Sequence, residues 1–222
     1  MHPDAVQLLE LIRAAGRPAF QDLTPAEARI AYANGRNLLQ PPPDEVAEVL
    51  DLAIPGPGGT LPLRSYSGAG TDGAATLPCL VYLHGGGWVV GDLDSHDGVC
   101  RRLANLGACR VIAVDYRLAP EHPFPAAVED AAAELGVNPA RIAVGGTLAA
   151  VLALLGRDGA VPEPMFQLLL YPVTDLAMDT PSYARVTEGV PLTAVTMQYF
   201  AEHYAPDPAQ RGDWRASPLR AA

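Results

Sequence analysis

Two stretches of helical periodicity precede anything strand-like. Residues 4–16 set Val6, Leu8, Leu9, Leu11 and Ile12 on one stripe, which predicts an amphipathic helix. Leu23-Thr24-Pro25-Ala26-Glu27 predicts the start of a second, with a capping threonine ahead of a first-turn proline. Gln40-Pro41-Pro42-Pro43 stops that helix. Residues 45–54 and 61–67 read as strands joined by a turn at Gly56-Pro57-Gly58-Gly59, an antiparallel start to a sheet.

The pattern then changes. Short apolar strands are predicted over 77–83 and Arg110–Asp115, separated by a helix-compatible stretch at 95–107. A helix over 126–135 closed by Gly136, a strand over Arg141–Val144, an apolar helix over 147–155 and a strand over Phe166–Tyr171 follow. Such alternation predicts a mostly parallel sheet covered by helices on both faces. Residues 176–220 read as helical and mixed in polarity, without a further clear strand.

With 222 residues, 49% of them hydrophobic and 18% charged, the chain is sized for one α/β domain with a full core. A net charge of −10, with no basic run to offset it, argues against nucleic acid as a partner. All fifteen basic residues are arginine, so no lysine is present to form a Schiff base, serve a phosphate loop or activate a serine. Cys79, Cys100 and Cys109 are odd in number and lack metal-like spacing, the pattern of reduced thiols in a cytoplasmic protein. Met1-His2-Pro3-Asp4 does not open a leader sequence, and no apolar run is long enough to span a bilayer. A cytoplasmic location without stable membrane insertion is therefore the expectation.

Two strings carry the chemistry. Tyr82-Leu83-His84-Gly85-Gly86-Gly87-Trp88 directly follows a buried strand, where three glycines can turn backbone N–H groups into one space. That is how an oxyanion hole is built, although a plain glycine-rich turn fits the string equally when it is taken alone. The second string, Asp115-Tyr116-Arg117-Leu118-Ala119-Pro120-Glu121-His122-Pro123-Phe124-Pro125, follows the next strand and leads into a helix.

Together the two strings resemble the signature pair of the bacterial carboxylesterases related to hormone-sensitive lipase, members of the α/β-hydrolase superfamily. The resemblance continues through Gly136-Val137-Asn138-Pro139-Ala140-Arg141-Ile142-Ala143-Val144-Gly145-Gly146, Leu169-Leu170-Tyr171-Pro172-Val173-Thr174-Asp175 and Asp213-Trp214-Arg215-Ala216-Ser217-Pro218-Leu219. It implies a doubly wound α/β-hydrolase core over 41–222, capped by helices over 1–40 and again around 176–212. It also implies hydrolysis of short- to medium-chain carboxylic esters through a serine acyl-enzyme, without metal or cofactor, on a small-molecule ester. Gly85, Gly86 and Gly87 would supply the oxyanion-hole amides. His84 would support the loop, and Arg117 and Glu121 would tie the second string together. A bulkier residue at Gly86 should then abolish esterase activity and leave the fold largely intact.

The chain departs from that pattern at the nucleophile. The family needs G-x-S-x-G at a sharp strand-to-helix turn, whereas this chain reads Val144-Gly145-Gly146-Thr147-Leu148-Ala149. Five residues, the serine among them, are missing there, and the sequence stops before the segments that would carry the acid and the histidine of the triad. A real deletion and a sequence that leaves out residues carried by the polypeptide both remain open. His2, His96, His122 and His203 read as surface or packed histidines, and Thr147 lacks an evident base. A non-catalytic remnant or acyl-binding module is the alternative. If the deletion is real, an exposed sheet edge should favour association, so a homo-oligomer is a further expectation.

Overall fold

In the computed structural model, residues 2–71, 76–137, 142–188 and 190–222 are described, without the side chains of 36–39, 135–137 and 142–144. The strands β1 (Glu48–Gly56) and β2 (Gly59–Ser67) form a hairpin around Pro57-Gly58. They are followed by β3 (Cys79–Leu83), β4 (Arg110–Val114), β5 (Ile142–Gly145) and β6 (Phe166–Leu169). The sheet order is β1-β2-β4-β3-β5-β6. β1, β2 and β4 are joined antiparallel, and β4, β3, β5 and β6 run parallel.

Side-chain alternation along the central strands explains why helices cover both faces. Leu80 and Tyr82 of β3 and Val111 and Ala113 of β4 point to one side, where α3 (Asp97–Gly107) contributes Cys100 and Ala104. Val81, Leu83, Ile112 and Val114 point to the other, into a larger core with α4 (Ala126–Val137) and α5 (Thr147–Arg157). A strand buried on both faces is apolar at nearly every position, which is how β3 and β4 read in the sequence. The sheet is thus the mixed, doubly wound one that the alternation predicts.

Two helices precede the sheet, α1 (Pro3–Ala14) and α2 (Pro25–Leu39). Thr24 and Glu27 cap α2 reciprocally: the Thr24 amide donates to Glu27 Oε2 at 2.9 Å and the Glu27 amide to Thr24 Oγ1 at 3.3 Å. The predicted first helix forms, although none of its residues is buried and Val6, Leu8 and Leu11 are exposed. The periodicity gave the helix but not a covered face. A correction falls at Gly136, which lies inside α4 rather than closing it. Asn138, Pro139, Ala140 and Arg141 lie outside the described residues, so the expected strand start at Arg141 does too.

After β6 come a short α6 (Pro181–Arg185) and α7 (Ala194–Tyr204), with no further strand among the described residues. β6 is an edge strand of the sheet, as β1 is, with its Phe166 and the preceding Met165 exposed. Among the described residues no disulfide forms, and Cys100 and Cys109 are buried. No helix among the described residues is long and apolar enough to cross a membrane.

Candidate active site

The glycine loop leaves the C-terminal end of β3 and doubles back at once. The Val89 and Val90 amides both donate to the Gly86 carbonyl, at 3.2 and 3.0 Å. This reversal puts Gly86 at φ +132°, where a Cβ would stand 1.9 Å from the Val90 carbonyl oxygen, so only glycine fits. The Gly86 and Gly87 amides donate to no protein acceptor among the described residues. α7 packs against the loop: a Cβ at Gly87 would meet the Phe200 ring at 2.4 Å, and Trp88 stacks on Tyr204 with centroids 4.0 Å apart.

His84 lies beneath the loop, almost wholly buried. Its Nδ1 is 2.8 Å from the Gly85 carbonyl, so that nitrogen carries the proton and donates. The Tyr116 ring stacks on it at 4.3 Å, and the Tyr116 hydroxyl donates to the His84 carbonyl at 2.6 Å. Burial holds the His84 imidazole down to about 4, so the ring is neutral and braces the loop without charge.

Arg117 and Glu121 each anchor the second string, without bonding to one another. Arg117 reaches α4, with Nε 2.9 Å from Asp130 Oδ2 and the same oxygen accepting from the Arg117 amide at 2.9 Å. Glu121 instead receives Arg29 of α2, whose other donors go to the Val89 and Ala119 carbonyls, both at 2.9 Å. The ends of the second string are thus fastened to different helices. Through Arg29, α2 is fastened to the end of the glycine loop at Val89.

Opposite the loop, β5 passes into α5 through Gly145 and Gly146. Gly145 has φ +153°, and a Cβ there would lie 2.5 Å from the Leu83 carbonyl oxygen, so the turn is pressed against β3. Gly146 offers no side-chain cap, leaving the partial positive charge of the helix start facing outward. Thr147, at the turn, has its hydroxyl engaged twice with Val173: it donates to the carbonyl at 2.6 Å and accepts from the amide at 3.1 Å.

Between loop and turn lies a cavity of about 310 Å³. Gly85, Gly86, Gly87, Gly145, Gly146 and Thr147 form its floor, and Phe20, Tyr32, Leu192, Met197 and Phe200 its mostly apolar roof. His84 and His96 also line it. Of the remaining histidines, His2 and His122 are exposed and His203 bonds the Tyr199 carbonyl. His96 is the residue that the sequence left among ordinary loop histidines. Only the fold, by bringing the start of α3 beside the end of β3, turns it toward the cavity. Among the described residues no three His, Cys, Asp or Glu side chains cluster as metal ligands.

A family model for the alpha/beta hydrolase fold matches residues 80–222. The chain is 44% identical to the carboxylic ester hydrolase LipN of Mycobacterium tuberculosis over 82% of its length and 53% of LipN's. It is 39% identical to the ethyl acetate hydrolase of Pseudomonas putida over 99% of its length and 76% of that enzyme's. The chain therefore spans about half of one relative and three quarters of the other. The second match runs over 241 positions, more than the chain has residues, so that enzyme carries stretches inside the matched span that this chain lacks. Among solved structures, the ester hydrolase EH1AB1 from the Lake Arreo metagenome, complexed with a bipyridine phosphonate derivative, superposes with a TM-score of 0.92 at 39% identity, covering 100% of this chain and 76% of that one. Together the glycine loop, the sheet order and these matches make the chain a member of the α/β-hydrolase family, similar in sequence to ester hydrolases of that family.

Proposed function

We propose that this protein hydrolyses carboxylic esters with short to medium acyl chains, binding them in the cavity between the Gly85–Gly87 loop and the start of α5. The observation that carries the reading is the pair of amides at Gly86 and Gly87, without an acceptor among the described residues, on residues that line one apolar chamber together with the start of α5. Amides of this kind stabilise the charge that develops on a carbonyl oxygen as the ester is attacked. The cavity's size suits a small ester, and its aromatic and aliphatic roof suits an acyl chain rather than a charged one.

A serine acyl-enzyme is what the family implies for the chemical step. Against this stands the composition of the cavity wall, which among the described residues holds no serine, cysteine or carboxylate, and the engagement of the Thr147 hydroxyl. That observation favours a second reading, an acyl-binding module without an acyl-enzyme. Release of p-nitrophenol from p-nitrophenyl butyrate distinguishes them. Steady release supports hydrolysis, and a burst of one equivalent per chain supports the acyl-enzyme. Ester binding without release would leave the binding module.

A further inference from the structure

The cavity holds a base that no part of a serine mechanism uses. His96 is 8% exposed and its Nδ1 lies 2.9 Å from Ser95 Oγ. The Ser95 hydroxyl proton is already committed to the Asp92 carbonyl at 2.7 Å, and its oxygen accepts from the Asp92 amide at 2.9 Å. The Nδ1 contact therefore requires the ring to donate, which fixes the proton on Nδ1 and leaves Nε2 with its lone pair free. That nitrogen has no hydrogen-bond partner among the described residues and looks toward the glycine loop, since a methyl group built on Gly85 would lie 3.9 Å from it.

We propose that His96 is a general base for direct attack of water on an ester held at the Gly86 and Gly87 amides. The inference rests on the ester-binding reading of the cavity. Water forms a bond to the carbonyl carbon and gives its proton to His96 Nε2, while the carbonyl electron pair moves onto the oxygen facing the loop amides. Collapse of the tetrahedral adduct breaks the bond to the alkoxy oxygen, which leaves with the proton from Nε2. Carboxylic acid and alcohol result, the imidazole is restored, and no covalent enzyme intermediate forms. Ser95 is a positioning residue in this scheme, fixing the tautomer from behind.

The groups around the ring set the pH at which such a base works. Burial is the main influence that lowers His96 to about 4, the neighbouring His84 lowers it further and Asp92 opposes both. The Tyr82 ring packs 5.8 Å away, with a phenol that burial keeps protonated. A base with so low a value is unprotonated across the neutral range, so the rate should rise with a midpoint below pH 5 and then stay flat. A triad histidine or an ordinary surface histidine would place the midpoint near pH 6.5.

The test uses the full chain with two readouts. Binding of 2-heptanone, a ketone that mimics the ester but cannot be hydrolysed, is followed by the fluorescence of Trp88 at the cavity wall. Hydrolysis of p-nitrophenyl butyrate is followed against pH in the wild type, His96→Ala, His96→Gln and the surface control His122→Ala. The expected result is ketone binding in all four, turnover with a midpoint below pH 5, a fall of about a hundredfold in both His96 variants, and partial rescue of His96→Ala by added imidazole. Ketone binding with no turnover, a midpoint near pH 6.5, or His96 variants as fast as wild type would overturn the role of His96 alone. Failure of the ketone to bind would overturn the cavity reading and the inference with it. The wild-type pH profile decides the matter even if both His96 variants fail to fold.

Discussion

Thr147 Oγ1 and the backbone of Val173 close on each other through two hydrogen bonds, of 2.6 and 3.1 Å. The hydroxyl at the strand-to-helix turn thereby joins the start of α5 to the segment after β6. Thr147→Val keeps the volume but leaves the buried Val173 contacts without a partner, at a cost of roughly 1–3 kcal/mol. Urea unfolding should register that loss, while ester turnover per folded molecule stays within about twofold. A loss of turnover well beyond the loss of folded protein would make Thr147 part of the chemistry.

The glycine loop calls for two contrasting substitutions. The sequence reading expected a bulkier residue at Gly86 to remove activity and spare the fold. With a Cβ 1.9 Å from the Val90 carbonyl, Gly86→Ala must instead shift backbone. It is expected to lower stability by roughly 1–3 kcal/mol as well as to remove turnover. Gly85 is the cleaner probe, because its Cβ would meet Tyr171 and His96 only at 3.7 and 3.9 Å. Gly85→Ala should retain the wild-type thermal midpoint within about 2 °C and reduce turnover, which differential scanning calorimetry and the p-nitrophenyl ester assay measure together.

The joint between α2 and the loop is Arg29. Its hydrogen bonds hold the Glu121 carboxyl down to about 2, from an ordinary 4.5. A depressed carboxylate contributes stability that is present above pH 4.5 and lost as the pH falls toward 2. Both side chains are partly exposed, so Glu121→Gln should cost under about 1 kcal/mol at pH 7. Arg29→Met also strips the Val89 and Ala119 carbonyls of their donor and should cost more, roughly 1–3 kcal/mol. Chemical denaturation of the two variants gives the order, and equal losses would refute it.

Much of this was legible in the chain. The two strings gave the family, and the change from helical to strand period gave nearly every element. What pattern could not give was coverage and direction. The α1 stripe predicts a helix but not its cover: Leu8 and Leu11 face solvent, because periodicity identifies a face and not what lies against it. His96 reads as one loop histidine among several. Its direction depends on β3 and α3 meeting, a contact between residues that no local pattern encodes.

Glu134 shows the same limit. It sits in a helix of alanines like a solvated carboxylate, but it is 1% exposed and its Oε2 has no partner. Burial raises it to about 8. The folded state therefore holds a proton that the unfolded state releases near 4.5, and stability should fall as the pH rises from about 4.5 to 8. Glu134→Gln should flatten that slope and raise the thermal midpoint at pH 8 relative to wild type. A midpoint that falls equally with pH in both proteins would show that Glu134 is not its source.

The measurement that tests the account most directly is the intact mass of this chain before and after a fluorophosphonate, run beside the ester assay. With Thr147 engaged and no serine in the cavity wall among the described residues, the expected result is a chain of unchanged mass after treatment that still releases p-nitrophenol. A single stoichiometric adduct on a serine, with release abolished, would contradict it and establish an acyl-enzyme.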